Sequence, residues 1–148
     1  MKKVILFFYL IGIYGCLCQE QNYQAQEKFL KDFYFEYLTK TDIDKYDRIV
    51  VTQNYKKIMN RYCTENLVNK IKRMQENYEL DYDPFIKAQD YHISILDFII
   101  IEKSPIKKEN YLVSYRYKNQ SEKERIYIDI QVVKINGDFK IIGVNNIN

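Results

Sequence analysis

A chain of 148 residues and 18.0 kDa has room for one domain around one core once a short N-terminal segment is set aside, which excludes a second independent domain. Its 47% hydrophobic and 29% charged residues exclude wholesale disorder. The formal charge of +3 rests largely on Lys2 and Lys3; without them, 21 of the 23 basic residues face 20 acidic ones along the whole chain, so no basic stripe exists to bind nucleic acid.

Residues 1–18 read as an export signal. Lys2-Lys3 forms a positive start, Val4 to Tyr14 is an apolar run, and Gly15-Cys16 supplies small residues. Crossing a bilayer takes about 20 apolar residues, and here Gln19-Glu20-Gln21-Asn22 cuts the run short. Ile13-Tyr14-Gly15-Cys16 resembles a bacterial lipobox, so Cys16 is the expected lipidation site and the cell envelope (periplasm or outer membrane) the expected location. The alternative is cleavage after Cys18 and a freely secreted protein. On this reading the membrane is touched only through an N-terminal lipid. With Cys16 acylated, Cys18 and Cys63 remain, too few for a disulfide scaffold or a zinc site.

Residues 19–148 then read as a single domain. From Gln21 to Lys40, Phe29, Leu30, Phe33, Tyr37 and Leu38 recur every three or four residues, which predicts an amphipathic helix. Thr41 or Asp42 offers a cap for a second helix carrying Val51, Tyr55, Ile58, Met59 and Tyr62. Thr64 with Glu65 predicts the start of a third, whose inner stripe is Leu67, Val68, Ile71, Met74 and Tyr78. Pro84 excludes helical continuation.

After Tyr91 the apolar period falls to two. Tyr91 to Lys103 predicts a strand with Ile93, Ile95, Asp97, Ile99 and Ile101 on one face, stopped by Pro105. Tyr111, Val113, Tyr115 and Tyr117 form the buried face of a second strand, and Asn119 to Glu122 a turn. Ile126, Ile128, Ile130 and Val132 mark a third strand. Asn136-Gly137 predicts a type I′ hairpin into a fourth with Phe139, Ile141 and Gly143. Helices first and a meander afterwards imply an α+β fold, with N-terminal helices packed on a curved four-stranded antiparallel sheet.

Asp83-Pro84-Phe85 followed by Ala88-Gln89-Asp90, placed between a helix and a meander ending in Gly137 to Ile141, carries a further signal. This pattern resembles the exported bacterial proteins of the domain of unknown function 3828 (DUF3828) family, over roughly Phe29 to Ile147. That family is itself similar to the nuclear-transport-factor-2-like (NTF2-like), cystatin-like cones. The resemblance implies a cone-shaped fold and an exported location, and it implies no activity and no cofactor.

His92 is the sole histidine, so a histidine dyad or multi-histidine metal site cannot form within one chain, and a structural or exposed role is expected for it. Asp97 interrupts an isoleucine face. It is the candidate catalytic base if it faces the cone, and a bulge or edge residue otherwise. Asp83, Gln89 and Asp90 are candidate binding residues at the cone mouth, with backbone capping as the plainer role. Tyr115 is a binding candidate as well, although with Tyr111, Tyr117 and Tyr127 it also suits core packing with hydroxyls at the rim. The 15 tyrosines in all reflect compositional bias more than a binding signature, and Cys63 is expected to pack as a small apolar residue. No glycine-rich phosphate loop, serine nucleophile elbow or calcium loop is present, and no metal or cofactor is called for. The expected function is therefore an exported, non-catalytic envelope protein binding an unidentified small ligand or protein partner through the cone. The alternatives are a small isomerase or dehydratase using Asp97, and an immunity or assembly-type interaction protein.

Overall fold

The computed structural model describes residues 23–107, 109–145 and 147; the expected export signal and Cys16 lie outside them. Helix α1 covers 23–40 among the described residues, α2 is Arg48–Tyr62 and α3 is Glu65–Glu76. Strands β1 (Ile100–Lys103), β2 (Asn110–Tyr115), β3 (Ile126–Ile135) and β4 (Asp138–Val144) form one antiparallel sheet in the order β1-β2-β3-β4. The expected α+β architecture, helices against a four-stranded antiparallel sheet, is the observed one.

On α1 the stripe Leu30, Phe33, Tyr37 and Leu38 is buried as expected, and Tyr34 joins it. Ion pairs at i,i+4 (Glu27–Lys31, Lys28–Asp32, Glu36–Lys40) line its wet side. The second helix starts later than Thr41 or Asp42 would put it. Asp42 spends its carboxylate on the Asp44 N–H (3.0 Å), and Asp47 is the residue that accepts from Ile49 N (2.9 Å) and Val50 N (3.0 Å). Thr41 turns its hydroxyl back to the Tyr37 carbonyl, 2.6 Å away.

Between α2 and α3 the chain breaks helix for Cys63 and Thr64, and there it joins the sheet. Thr64 N donates to the Ile141 carbonyl at 3.0 Å, and the Thr64 side chain makes no cap bond despite its N-cap position. Lys140 from β4 reaches the carbonyls of Asn60 (3.1 Å) and Arg61 (2.5 Å), closing the negative end of α2. Helix α3 stops two residues before Tyr78. That tyrosine has φ of 60° and is 94% exposed, and the left-handed turn it makes brings Leu80 into the core in its place.

The largest departure from expectation lies between Tyr91 and Lys103. Residues Ile93–Phe98 form a 3-10 helix, and only Ile100–Lys103 is strand. The His92 ring accepts from Ser94 N (3.2 Å) and starts the tight turn. The turn buries Ile95 and rests Ile93, Leu96 and Ile99 partly against the core, so the apolar run is packed without strand geometry. Asp97 consequently sits exposed on a 3-10 turn, not on a strand face.

In the sheet, Tyr111, Val113 and Tyr115 face the helices beside Ile128, Ile130 and Val132; β2 ends at Tyr115, leaving Tyr117 in the following loop. The 3-10 turn Glu122–Glu124, with Ser121 and Glu124 bonding reciprocally, follows that loop. Asn136 (φ 52°) and Gly137 (φ 96°) both take the left-handed conformation a type I′ hairpin requires. A side chain on Gly137 would meet nothing within 4 Å, so glycine is there for its backbone freedom alone.

Candidate functional site

The space where a ligand-holding cone would be open is filled by the chain itself. Loop 83–88 folds back on itself through Asp83 N to the Ala88 carbonyl (2.9 Å) and Lys87 N to the Asp83 carbonyl (2.6 Å), and it drives Phe85 and Ile86 between α1 and β2. Phe85 is fully buried, with ring centroids 5.1 Å from Phe33 and 5.7 Å from Tyr37. A buried loop must satisfy its carbonyls, and side chains from the walls do so. The Tyr34 hydroxyl donates to the Phe85 carbonyl (2.9 Å), the Tyr115 hydroxyl to the Ile86 carbonyl (2.8 Å), and Asn145 Nδ2 to the Pro84 carbonyl (2.8 Å). No buried side-chain polar atom among the described residues lacks a partner.

Asp83 belongs to this plug. One carboxylate oxygen accepts from Phe85 N at 2.8 Å, and the other takes a short hydrogen bond from the Tyr37 hydroxyl. Burial raises its pKa above the ordinary 3.8, against the lowering effect of these donors. Burial, with Asp83 beside them, also raises the phenols of Tyr34 and Tyr37 well above their usual range. The capping role weighed for Asp83 is thus the one its geometry displays. Tyr115 likewise points its hydroxyl inward to Ile86 rather than to a rim, and the Tyr111 hydroxyl reaches Gln26 Oε1 (2.6 Å) inside α1.

Beyond the plug the chain emerges beside the α1–α2 turn and lines an open groove of about 390 Å³ with Ile43, Asp44, Asp90, Tyr91, His92 and Tyr117. Asp90 is exposed, accepts from Tyr91 N (2.7 Å), and receives the Tyr117 hydroxyl on its carbonyl at 3.3 Å. Tyr91 anchors the wall, its hydroxyl donating to the Leu38 carbonyl (3.1 Å) and paired with Thr41 Oγ1 (2.9 Å). Burial raises the Tyr91 pKa, the Thr41 hydrogen bond works against that rise, and the negative fields of Asp42, Asp83 and Asp90 add to it. Among the described residues Asp42, Asp44 and Asp90 have no ion-pair partner.

The remaining candidates stand apart. Gln89 is exposed; His92 is exposed with Nδ1 bonded to Ser94 Oγ at 2.8 Å; Tyr127 lies on the far face of the sheet. The exposed Asp97 has no apolar enclosure, which a general base in a cone would need. Burial pushes the Cys63 thiol up to about 12, consistent with a packing role. No three of His, Cys, Asp and Glu converge to hold a metal among the described residues, and none of the described helices is long and apolar enough to cross a membrane. Tyr34 and the Phe85–Ile86 insertion lie outside the expected core and site residues; Tyr34 follows Leu30 by four positions on the α1 face, whereas nothing local marks a loop that turns inward.

No protein-family profile and no curated protein matches this sequence. Among solved structures, the chain is similar to a protein of unknown function from Bacteroides thetaiotaomicron VPI-5482. The TM-score is 0.73 at 21% identity, over 86% of this chain and 93% of that one. The two share a fold.

Proposed function

We propose that the protein is an exported, non-catalytic component of the cell envelope that docks a protein partner in the groove formed by Ile43, Asp90, Tyr91 and Tyr117. One observation carries this reading: loop 83–88 occupies the interior, so recognition turns outward. In the groove Ile43 is 67% exposed beside two tyrosine rings, an apolar and aromatic surface of the kind partners bury. Its unpaired carboxylates Asp44 and Asp90 suit a partner segment that sets a lysine or arginine next to an apolar side chain. The Lys2-Lys3 start and the apolar run to Gly15-Cys16 support delivery as a lipoprotein anchored at Cys16, with release after Cys18 as the secreted alternative. Asp83-Pro84-Phe85 and Ala88-Gln89-Asp90 support kinship with the domain of unknown function 3828 family.

The test is photo-crosslinking in the producing cells from Ile43, with Tyr127 on the opposite face as control. The expected result is one protein adduct from Ile43 only, lost in Asp44→Lys and Asp90→Lys. Equal adducts from both positions, or substrate turnover abolished by Asp97→Asn, would overturn the reading.

A further inference from the structure

Helix α1 and strand β2 run side by side in the same direction, and three sets of contacts fix the alignment. Near their starts, the Tyr111 hydroxyl donates to Gln26 Oε1 at 2.6 Å. Farther along, Tyr34 and Tyr115 hold the adjacent carbonyls of Phe85 and Ile86. At the far end, Tyr91 donates to the Leu38 carbonyl and Tyr117 to that of Asp90. The molecule therefore has two distinct ends. At one, the chain passes into α1 through Tyr23, whose ring is stacked 6.0 Å from that of Tyr111. At the other, α1 and β2 run out toward Ile43 and Tyr117, walls of the partner groove. Residues 23–40 of α1, at about 1.5 Å per residue, set these ends about 27 Å apart.

The Tyr23 end also carries the turn out of β1. Lys103, the last residue of β1, pairs with Tyr111 in the sheet register, and its Nζ lies 6.0 Å from the centre of that ring. Directly beyond, Ser104 N donates to the Asn110 carbonyl at 2.8 Å, and Pro105 and Ile106 are both exposed. Ile106 is 89% exposed, more than any other large aliphatic side chain among the described residues. A lone apolar residue at a surface is ordinary; position sets this one apart. Between Cys16, the expected lipidation site, and Tyr23 stand six residues, which reach at most about 25 Å.

We propose, resting on the reading of Cys16 as a lipid anchor, that the protein stands end-on at the membrane: Ile106 meets the lipid surface, and the groove of Ile43, Asp90, Tyr91 and Tyr117 faces away from it. A tether no longer than α1 holds the Tyr23 end close to the bilayer. At that effective concentration one isoleucine makes a contact it could not sustain unaided. The groove, at the opposite end of α1, is then turned from the lipid and open to the water. Its partner is accordingly a protein that approaches from the aqueous side, not a segment embedded in the same leaflet.

The full chain, purified with its anchor from the producing cells and placed in vesicles of phosphatidylethanolamine and phosphatidylglycerol, provides the test. An environment-sensitive fluorescent amino acid replaces Ile106, Ile43 or Tyr127 in turn, and lipids with brominated acyl chains serve as quencher. A loss of fluorescence at 106, with none at 43 or 127, is expected. Equal loss at 106 and 43, a greater loss at 43, or no loss at 106 overturns the orientation. Intact mass of the same preparation separates this failure from that of the anchor. A chain beginning at an acylated Cys16 but lacking the expected quenching sinks the orientation alone, and a chain beginning after Cys18 sinks the anchor and the orientation together.

Discussion

Two irregular segments flank β2, and opposite means hold them. Loop 83–88 enters the core, where its carbonyls are taken by neutral hydroxyls of Tyr34 and Tyr115 and its aromatic ring is packed on all sides. Residues 116–125 carry the chain from β2 to β3 at the surface and are held by charge. Glu122 bridges Arg116 (2.7 Å) and Arg125 (2.6 Å), Arg116 lies 4.2 Å over the Phe98 ring, and Arg125 Nη1 donates to the Phe98 carbonyl at 3.0 Å. Solvent explains the difference in means. In the clamp the Glu122 carboxylate keeps most of its hydration at 67% exposure while the Arg125 and Arg116 side chains it pairs with are largely covered, whereas inside the plug a neutral donor satisfies a carbonyl without a desolvated charge. The contrast implies that small changes in the plug are felt globally and that changes in the clamp are felt locally.

The largest expected effect is Phe85→Ala, which opens a cavity between α1 and β2; urea unfolding should show a loss of about 3–5 kcal/mol. A loss no greater than that of a surface substitution would remove the plug from the core. Tyr34→Phe comes next: it deletes one hydroxyl and leaves the Phe85 carbonyl buried without its donor, for about 1–3 kcal/mol by the same measurement. Smallest and most local is Glu122→Gln. Limited proteolysis should quicken within 117–124 at low salt while the global midpoint stays put, and the difference should shrink as salt screens the clamp.

The clamp also responds to acid. Hydrogen bonds from Arg125 and Arg116 hold the Glu122 carboxyl below its ordinary 4.5, so its contribution is present above that value and is lost as pH falls through the lowered one.

The helices and the hairpin were legible because each rests on neighbours in sequence. The α1 stripe repeats every three or four residues, and Asn136-Gly137 announces its own turn. Ile93 to Phe98 departs from the strand expectation because a short apolar run can pack in a 3-10 turn that buries Ile95 as readily as in a strand, and the His92–Ser94 bond that starts the turn is a side-chain detail. In the groove, Asp90 was legible from its segment. Ile43 and Asp44 were not, since their place beside Tyr117 depends on how the α1–α2 turn packs across the chain.

Periodicity and turn chemistry, written residue by residue, determined the order of the α-helices and strands, the antiparallel meander and the buried faces of α1, β2 and β3. Tertiary structure alone decided that Phe85 and Ile86 fill the interior and that Asp83 meets phenols and, among the described residues, no ion-pair partner. Burial and long-range partners arise when distant segments meet, and local sequence does not encode which segments those are.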